Sequence, residues 1–418
     1  MPKKKGKYRR GRRSRRKGFS SWSLKKKILS IFGGTIALVA TVGIALVASK
    51  LTKIETKKLD PEKLSVSEEA RERGTGYLNV ALFGVDSREG KIDEGTLSDT
   101  IMIASLNRET LEVKISSVFR DTLLEQSDGT FNKANAAYGF GGPEAAVAML
   151  NKNLDMNIEH YITVDFNALI DVIDAVGGIE VDVQPEETSY LTGYVIELME
   201  ITGKESMGVM APGLQTLNGM QATAYARIRY TAGDDFRRAE RQREVLQKVF
   251  DKLQNASLSQ VNKIIDSVFP KVSTNFTLLE ILDYAKDLFD YKIGETTGFP
   301  FDKTTDTLSG IGSVVIPVTL DSNVQQLHQF LYGTTEGYTV SSTVADISYR
   351  IAIKAGDRQP DTTDTSQGAI EQSTDDDYYY DPNQVIPDQT PTPEPTPEPT
   401  PEPTPEPENP DAGTEGTY

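Results

Sequence analysis

Residues 142–183 read GPEAAVAMLNKNLDMNIEHYITVDFNALIDVIDAVGGIEVDV, and their alternation of patterns decides the fold. Gly142-Pro143-Glu144 opens a helix, with Pro suited to the first turn and Glu to the positive end of the helix dipole. Tyr161 to Val164 then reads as a strand and Asn167 to Val176 as a helix stopped by Gly177-Gly178. Ile179 to Val183 is a second strand. Helix and strand in alternation indicate an α/β class, here an α/β/α layered domain with a mixed central sheet.

Working outward, three runs precede this stretch: Leu78 to Phe83, Thr100 to Asn107 and Glu112 to Ser117. The first two are largely apolar without alternation, as expected of strands covered on both faces. Beyond it, a helix over about Asp235 to Asn255 places Val245, Leu246, Val249, Phe250 and Leu253 on one side. Two further helical stretches are expected at Leu258 to Phe269 and Leu278 to Tyr291, a strand at Ser313 to Ile316 next to Pro317 at a sheet edge, and a helix at Asn323 to Leu331. Glu187 to Val209 reads as a packing helix or a lid.

The ends of the chain differ sharply from the middle. Residues 1–27 hold 14 Lys or Arg and no acid, although all 418 residues together carry a net charge of −16. Ile28 to Ser49 is a run of 22 uncharged residues, about 33 Å as a helix and enough to span a bilayer core. It exceeds the usual apolar run of a cleaved signal peptide, and the basic flank places the N-terminus in the cytoplasm. Beside such a span a basic cluster serves topology and anionic lipid rather than nucleic acid. Residues 357–418 hold 16 acids, one base and 13 of the 21 prolines, with four TPEP copies from Thr392 to Pro407. That composition predicts a disordered spacer. The expected organisation is a tail at 1–27, a transmembrane helix at 28–49, a linker at 50–75, a catalytic domain at 76–255, a packed extension or subdomain at 256–356 and the tail 357–418.

With no cysteine and only His160 and His328, thiolate sites, zinc centres and His-based triads are poorly served, so chemistry falls to carboxylates, Arg, Lys and hydroxyls. Three segments concentrate them. Asp86 follows the first strand and Asp99 begins the second, a pair able to share magnesium, or else simple turn and cap residues. Phe119-Arg120-Asp121 ends the third strand, and Lys133 lies shortly after it. Arg227 and Arg229 would point the same way if extended, and Arg238 and Arg241 share a helix face. Up to four guanidiniums could converge on an anion such as phosphate, or form a salt-bridged face with Asp234, Asp235 and Glu240. The P-loop and nucleophile-elbow patterns are absent.

The segments NVALFGVDSREG, LSDTIMIASLN, ISSVFRDTLLE, KANAAYGFGGPEAAV, HYITVDFNALIDVIDAVGGIEVDV, LNGMQATAYARIRY and DDFRRAERQREVL, in this order, resemble the LytR-CpsA-Psr family over about Leu78 to Leu253. The resemblance implies a single-pass membrane enzyme with its catalytic domain outside the cell. Such an enzyme transfers a glycopolymer, of teichoic acid or capsular polysaccharide type, from undecaprenyl pyrophosphate to a peptidoglycan hydroxyl with Mg2+. It implies metal and catalytic roles for Asp86 and Asp99, a catalytic and phosphate-binding role for Arg120, and pyrophosphate binding by Arg227, Arg229, Arg238 and Arg241, to which Lys133 is added as a candidate from the residues themselves. The family often has Arg where Leu97 stands, a contact that Arg88 could supply, and Pro where Phe119 stands. The carrier tail is expected in an apolar tunnel lined by residues such as Val147, Leu150, Leu169 and Ile173. Alternatives within reach of the same residues are a pyrophosphate hydrolase and a non-catalytic polyprenyl-phosphate-binding or regulatory membrane protein.

Overall fold

The computed structural model describes residues 55–86, 92, 95–229, 234–333 and 336–356. The apolar run at 28–49, both tails and Arg88 lie outside the described residues. Among the described residues no helix is long and apolar enough to cross a membrane.

In chain order the elements are β1 (Glu55–Thr56), α1 (Glu68–Arg73), β2 (Tyr77–Val85), β3 (Ser98–Asn107), β4 (Glu112–Val118), β5 (Leu123–Glu125) and β6 (Phe131–Lys133). There follow α2 (Ala136–Leu154), β7 (His160–Asp165), α3 (Phe166–Ala175), β8 (Ile179–Val183), α4 (Glu187–Thr202), β9 (Gly213–Leu217), α5 (Gly219–Tyr225) and α6 (Asp234–Gln254). The last third holds α7 (Leu258–Ser267), β10 (Val272–Thr274), α8 (Leu278–Ala285), β11 (Lys292–Phe299), β12 (Lys303–Leu308), β13 (Gly312–Pro317), α9 (Leu320–Tyr332) and α10 (Ser342–Ala355).

Seven strands form one mixed sheet in the order β1-β10-β7-β2-β3-β4-β11, and the central sheet expected from sequence is present. The pairs β1/β10, β7/β2 and β4/β11 are parallel, whereas β10/β7, β2/β3 and β3/β4 are antiparallel. Side chains alternate across β2 because a strand has a period of two. Ala81, Phe83 and Val85 enter a core with Val147 and Leu150 of α2, Val324 of α9 and Ile347 of α10. Leu78, Val80 and Leu82 meet Phe276, Ile281 and Tyr284 on the other face. Helices thus cover both faces. A second core gathers α3, β8, α4, α5 and α6 around Ile173, Val181, Leu191 and Val245.

Several expectations are corrected. The helix expected from Gly142 begins earlier, at Ala136, but breaks at Gly141 and Gly142. Gly142 has φ 61° and ψ −153°, a conformation open in practice only to glycine, and Pro143 then starts the long segment. The helix expected to Tyr291 ends at Ala285, and Lys292–Phe299 (KIGETTGF) becomes β11. Its polar composition suits a sheet edge, since among the described residues β4 is its one sheet partner. The strand expected beside Pro317 is present as β13, an edge strand paired with β12 in a separate two-stranded hairpin. The four proposed tunnel residues do not line one channel: Val147 and Leu150 are fully buried in the first core, while Ile173 and Leu169 belong to the second.

Candidate active site

The carboxyl-terminal ends of β2, β4 and β7 and the start of β3 meet at one edge of the sheet. Here the β2–β3 register slips, so that Gly84 faces Thr100 while Val85 faces Ser98. Asp99 is the extra residue of this bulge, a device that re-aims a side chain at a strand end. Gly84 is required for it, because a Cβ there would lie 2.9 Å from Thr100 Cβ. Asp86 immediately follows β2 on the neighbouring strand end.

Arg120 leaves the end of β4 and ties the site together. Its Nη1 donates to Asp99 Oδ1 at 2.7 Å, its Nε donates to Asp121 Oδ2 at 3.2 Å, and the same Nε lies 3.6 Å from Asp235 Oδ2. From α6, Arg238 Nη2 donates to Asp235 Oδ2 at 2.9 Å, and Arg229 Nε stands 3.7 Å from Asp235 Oδ1. Three guanidiniums from three parts of the chain therefore surround one carboxylate. Lys133 joins through Asp121, 3.1 Å from its Oδ1. Asp99, Ser117, Arg120, Asp235, Arg238 and Gln242 line a small pocket between the strand ends and α6.

Packing fixes this geometry. Phe119 packs edge-on against Phe236 at 4.6 Å between ring centres. Its ring also covers Gly298 of β11, where a Cβ would fall 2.5 Å from Phe119 Cζ. One aromatic residue thus sets α6 against β4 and β11, with Arg120 and Asp235 as the next residues on either side.

Electrostatics in the pocket follows from burial opposed by charge. Burial alone would raise the Asp99 carboxyl, but Arg120, Arg238 and Arg229 outweigh it and hold that carboxyl below the usual range. Asp235 is likewise lowered, with burial opposed by Arg238, Arg120 and Arg229. For Arg120, burial works against the charge, yet Asp235, Asp121 and Asp99 raise its pKa. Arg238 is lowered, because its burial outweighs Asp235. The acids are anions at neutral pH, and Asp99 is consequently a weak base.

The other two arginines named from sequence do not join the cluster on Asp235. Ala226 and Arg227 form a turn after the end of α5, not a strand. Its Nη2 donates to Glu197 Oε1 of α4 at 2.9 Å, and its guanidinium lies over Phe166 and Tyr194. Its Nη1 is buried without a hydrogen-bond acceptor among the described residues. Arg241 is 1% exposed and bonded to Glu187 Oε1 through Nε and Nη2, both at 2.9 Å. Its Nη1 donates to Ile228 O at 3.0 Å. The sequence points to Asp235 only as a salt-bridge partner of the arginines, and Gln242 is an addition of the structure. The signal was present: 235, 238 and 242 lie on one helical face and interrupt the apolar pattern of α6.

Among the described residues no group of three or more His, Asp or Glu could enclose a metal ion. Asp86 and Asp99 stand on adjacent strand ends and are hard oxygen donors of the kind that magnesium favours.

The LytR_cpsA_psr family profile matches residues 41–326. The chain belongs to the LytR-CpsA-Psr family. It is 30% identical over 275 residues to the polyisoprenyl-teichoic acid–peptidoglycan teichoic acid transferase TagU of Bacillus cereus, covering 63% of this chain and 84% of that one. It is 32% identical over 228 residues to biofilm regulatory protein A of Streptococcus mutans, covering 50% and 54%. Among solved structures, protein gbs0355 from Streptococcus agalactiae superposes with a TM-score of 0.52 at 26% identity, over 72% of this chain and 95% of that one.

Proposed function

We propose that this LytR-CpsA-Psr protein transfers a glycopolymer from undecaprenyl pyrophosphate to a peptidoglycan hydroxyl. The observation that carries the proposal is the gathering of Arg120, Arg229 and Arg238 around Asp235 beside Asp99. Holding three cations together is unfavourable without an anion. Asp235 offsets that repulsion in the resting protein, so the arginines stand assembled before a diphosphate arrives. The name of TagU supports polyisoprenyl-linked teichoic acid as the donor class and peptidoglycan as the acceptor.

The reaction forms a bond between the acceptor oxygen and the glycopolymer-bearing phosphorus and breaks the phosphoanhydride. Undecaprenyl phosphate leaves and the acceptor proton is released. Arg120, Arg229 and Arg238 bind and orient the diphosphate oxygens, Arg227 offers its buried Nη1, and Lys133 stands behind Asp121. Asp86 and Asp99 would hold Mg2+, which when bound neutralises charge developing on the diphosphate. The uncharged run 28–49 anchors the chain in the cell membrane, with the basic residues 1–27 in the cytoplasm and the catalytic domain outside.

Incubating the purified full chain with a labelled lipid-linked polymer and peptidoglycan fragments tests this reading. Label should move to peptidoglycan in the presence of Mg2+, and Asp99→Ala should abolish the movement. Release of label without any acceptor would favour a hydrolase, and transfer unchanged in Asp99→Ala would reject the site.

A further inference from the structure

The sheet register fixes which edge of the domain meets the anchor. Glu55 pairs with Ser273, Ser273 with Thr163, Thr163 with Phe83, and Phe83 with Ile101. One row across the sheet therefore runs from β1 to β3. Passing from Thr56 back to Glu55 moves along the sheet in the direction from Phe83 to Val85, toward Asp86 and Asp99. Only residues 50–54 separate β1 from the end of the apolar run, a reach of about 17 Å when fully extended. Strands spaced about 4.8 Å apart put β3 about 19 Å from β1 across the sheet. The anchor and the candidate active site thus share one edge.

Two large apolar side chains stand exposed beside Asp99 and Arg120. Leu97, 51% exposed, directly precedes β3, and Phe140, 66% exposed, ends the first turns of α2. They are neighbours, because a Cβ on Gly139 would lie 3.2 Å from Leu97 Cδ2 and Gly95 N donates to Gly139 O at 3.1 Å. The start of α2 is held at this edge by Asn135 N, which donates to Arg120 O at 2.9 Å.

We propose that Leu97 and Phe140 dip into the surface of the bilayer that holds the chain, resting the catalytic edge on the membrane. The proposal rests on the anchor reading above. Apolar side chains at a membrane-facing edge transfer favourably into the interface, and a tether this short leaves little room for the edge to lift away. Leu279, 77% exposed, supplies a control. Its helix α8 sits at the opposite edge, where Arg108 beyond the end of β3 donates to Tyr284 OH at 3.4 Å.

The test uses the full chain in phosphatidylglycerol/phosphatidylethanolamine vesicles with brominated acyl chains. A Trp22→Phe background removes the one native tryptophan. Phe140→Trp and Leu97→Trp should each be quenched several-fold more than Leu279→Trp, without any prenyl lipid present. Equal quenching at the two edges in vesicle-bound protein would overturn the proposal alone. Failure of the full chain to enter vesicles would overturn it together with the anchor reading. Quenching that arises only after a polyprenyl diphosphate is added would assign the pair to that lipid and overturn the bilayer contact.

Discussion

Arg238 and Arg241 lie one helical turn apart on α6, yet they belong to different regions of the molecule. Arg238 shares Asp235 with Arg120 and Arg229 at the edge of a pocket, at distances from 2.9 to 3.7 Å. Arg241 is sealed in the interior against Glu187, with each guanidinium nitrogen in a hydrogen bond. In the first region several cations share one acid. In the second the pairing is complete. Arginine-rich sequence thus marks two arrangements here, a cluster gathered on Asp235 at a pocket and a sealed pair that fastens α6 to α4.

The largest effect that would sharpen this contrast is on stability. Removing one partner of the buried pair by Glu187→Ala should cost about 3–5 kcal/mol, because it strands the other charge. Denaturant unfolding would measure it, and a Glu187→Leu/Arg241→Met double variant should recover much of the loss. A cost below about 1 kcal/mol would erase the distinction between the two regions.

Next comes Arg120→Ala, for which transfer should fall on the order of 10²–10³-fold, as when one preorganised charge stabiliser is lost. Its unfolding midpoint should change far less than that of Glu187→Ala.

The pH dependence is a subtler separator. Asp99 and Asp235 have folded pKa values below their unfolded ones, near 3.9 for Asp. Their contribution to stability is therefore fully present above about pH 4 and lost only as pH falls through the lowered folded values. Between pH 7 and 5 these two acids should not weaken the fold. Arg238→Lys keeps a cation in place and leaves this intact, whereas Arg238→Ala removes it and should move the acid limb of activity upward, readable in a kcat profile.

The smallest effect is expected for Lys133→Ala. Its partly exposed pair with Asp121 is worth less than about 1 kcal/mol, so KM for the lipid-linked donor should rise several-fold while unfolding stays nearly unchanged.

How much of this was legible in the sequence depended on which contacts are local. The apolar runs of β2 and β3 announced themselves, as did the carboxylates at their ends, because a strand covered on both faces leaves polar residues only at its tips. β11 was hidden, since KIGETTGF is an edge strand with little apolar pattern of its own. The Arg238–Asp235 contact is three residues along a helix and could be anticipated, but the arrival of Arg120 and Arg229 on the same acid depends on the packing of Phe119 against Phe236 and Gly298. Spacing placed Arg241 beside Arg238. Glu187, 54 residues earlier, drew it into the interior, and no local pattern encodes that partner. The four apolar residues expected along a tunnel failed for the same reason, as hydrophobicity says that a side chain is buried without saying in which core.

The most direct test of the central claim pairs single-turnover transfer with thermal unfolding for Arg120→Ala and Arg241→Ala in the full chain. Arg120→Ala should lose transfer by on the order of 10²-fold or more and keep nearly the wild-type Tm, whereas Arg241→Ala should lose Tm first. Wild-type transfer by Arg120→Ala, measured on folded protein with acceptor present, would contradict the account.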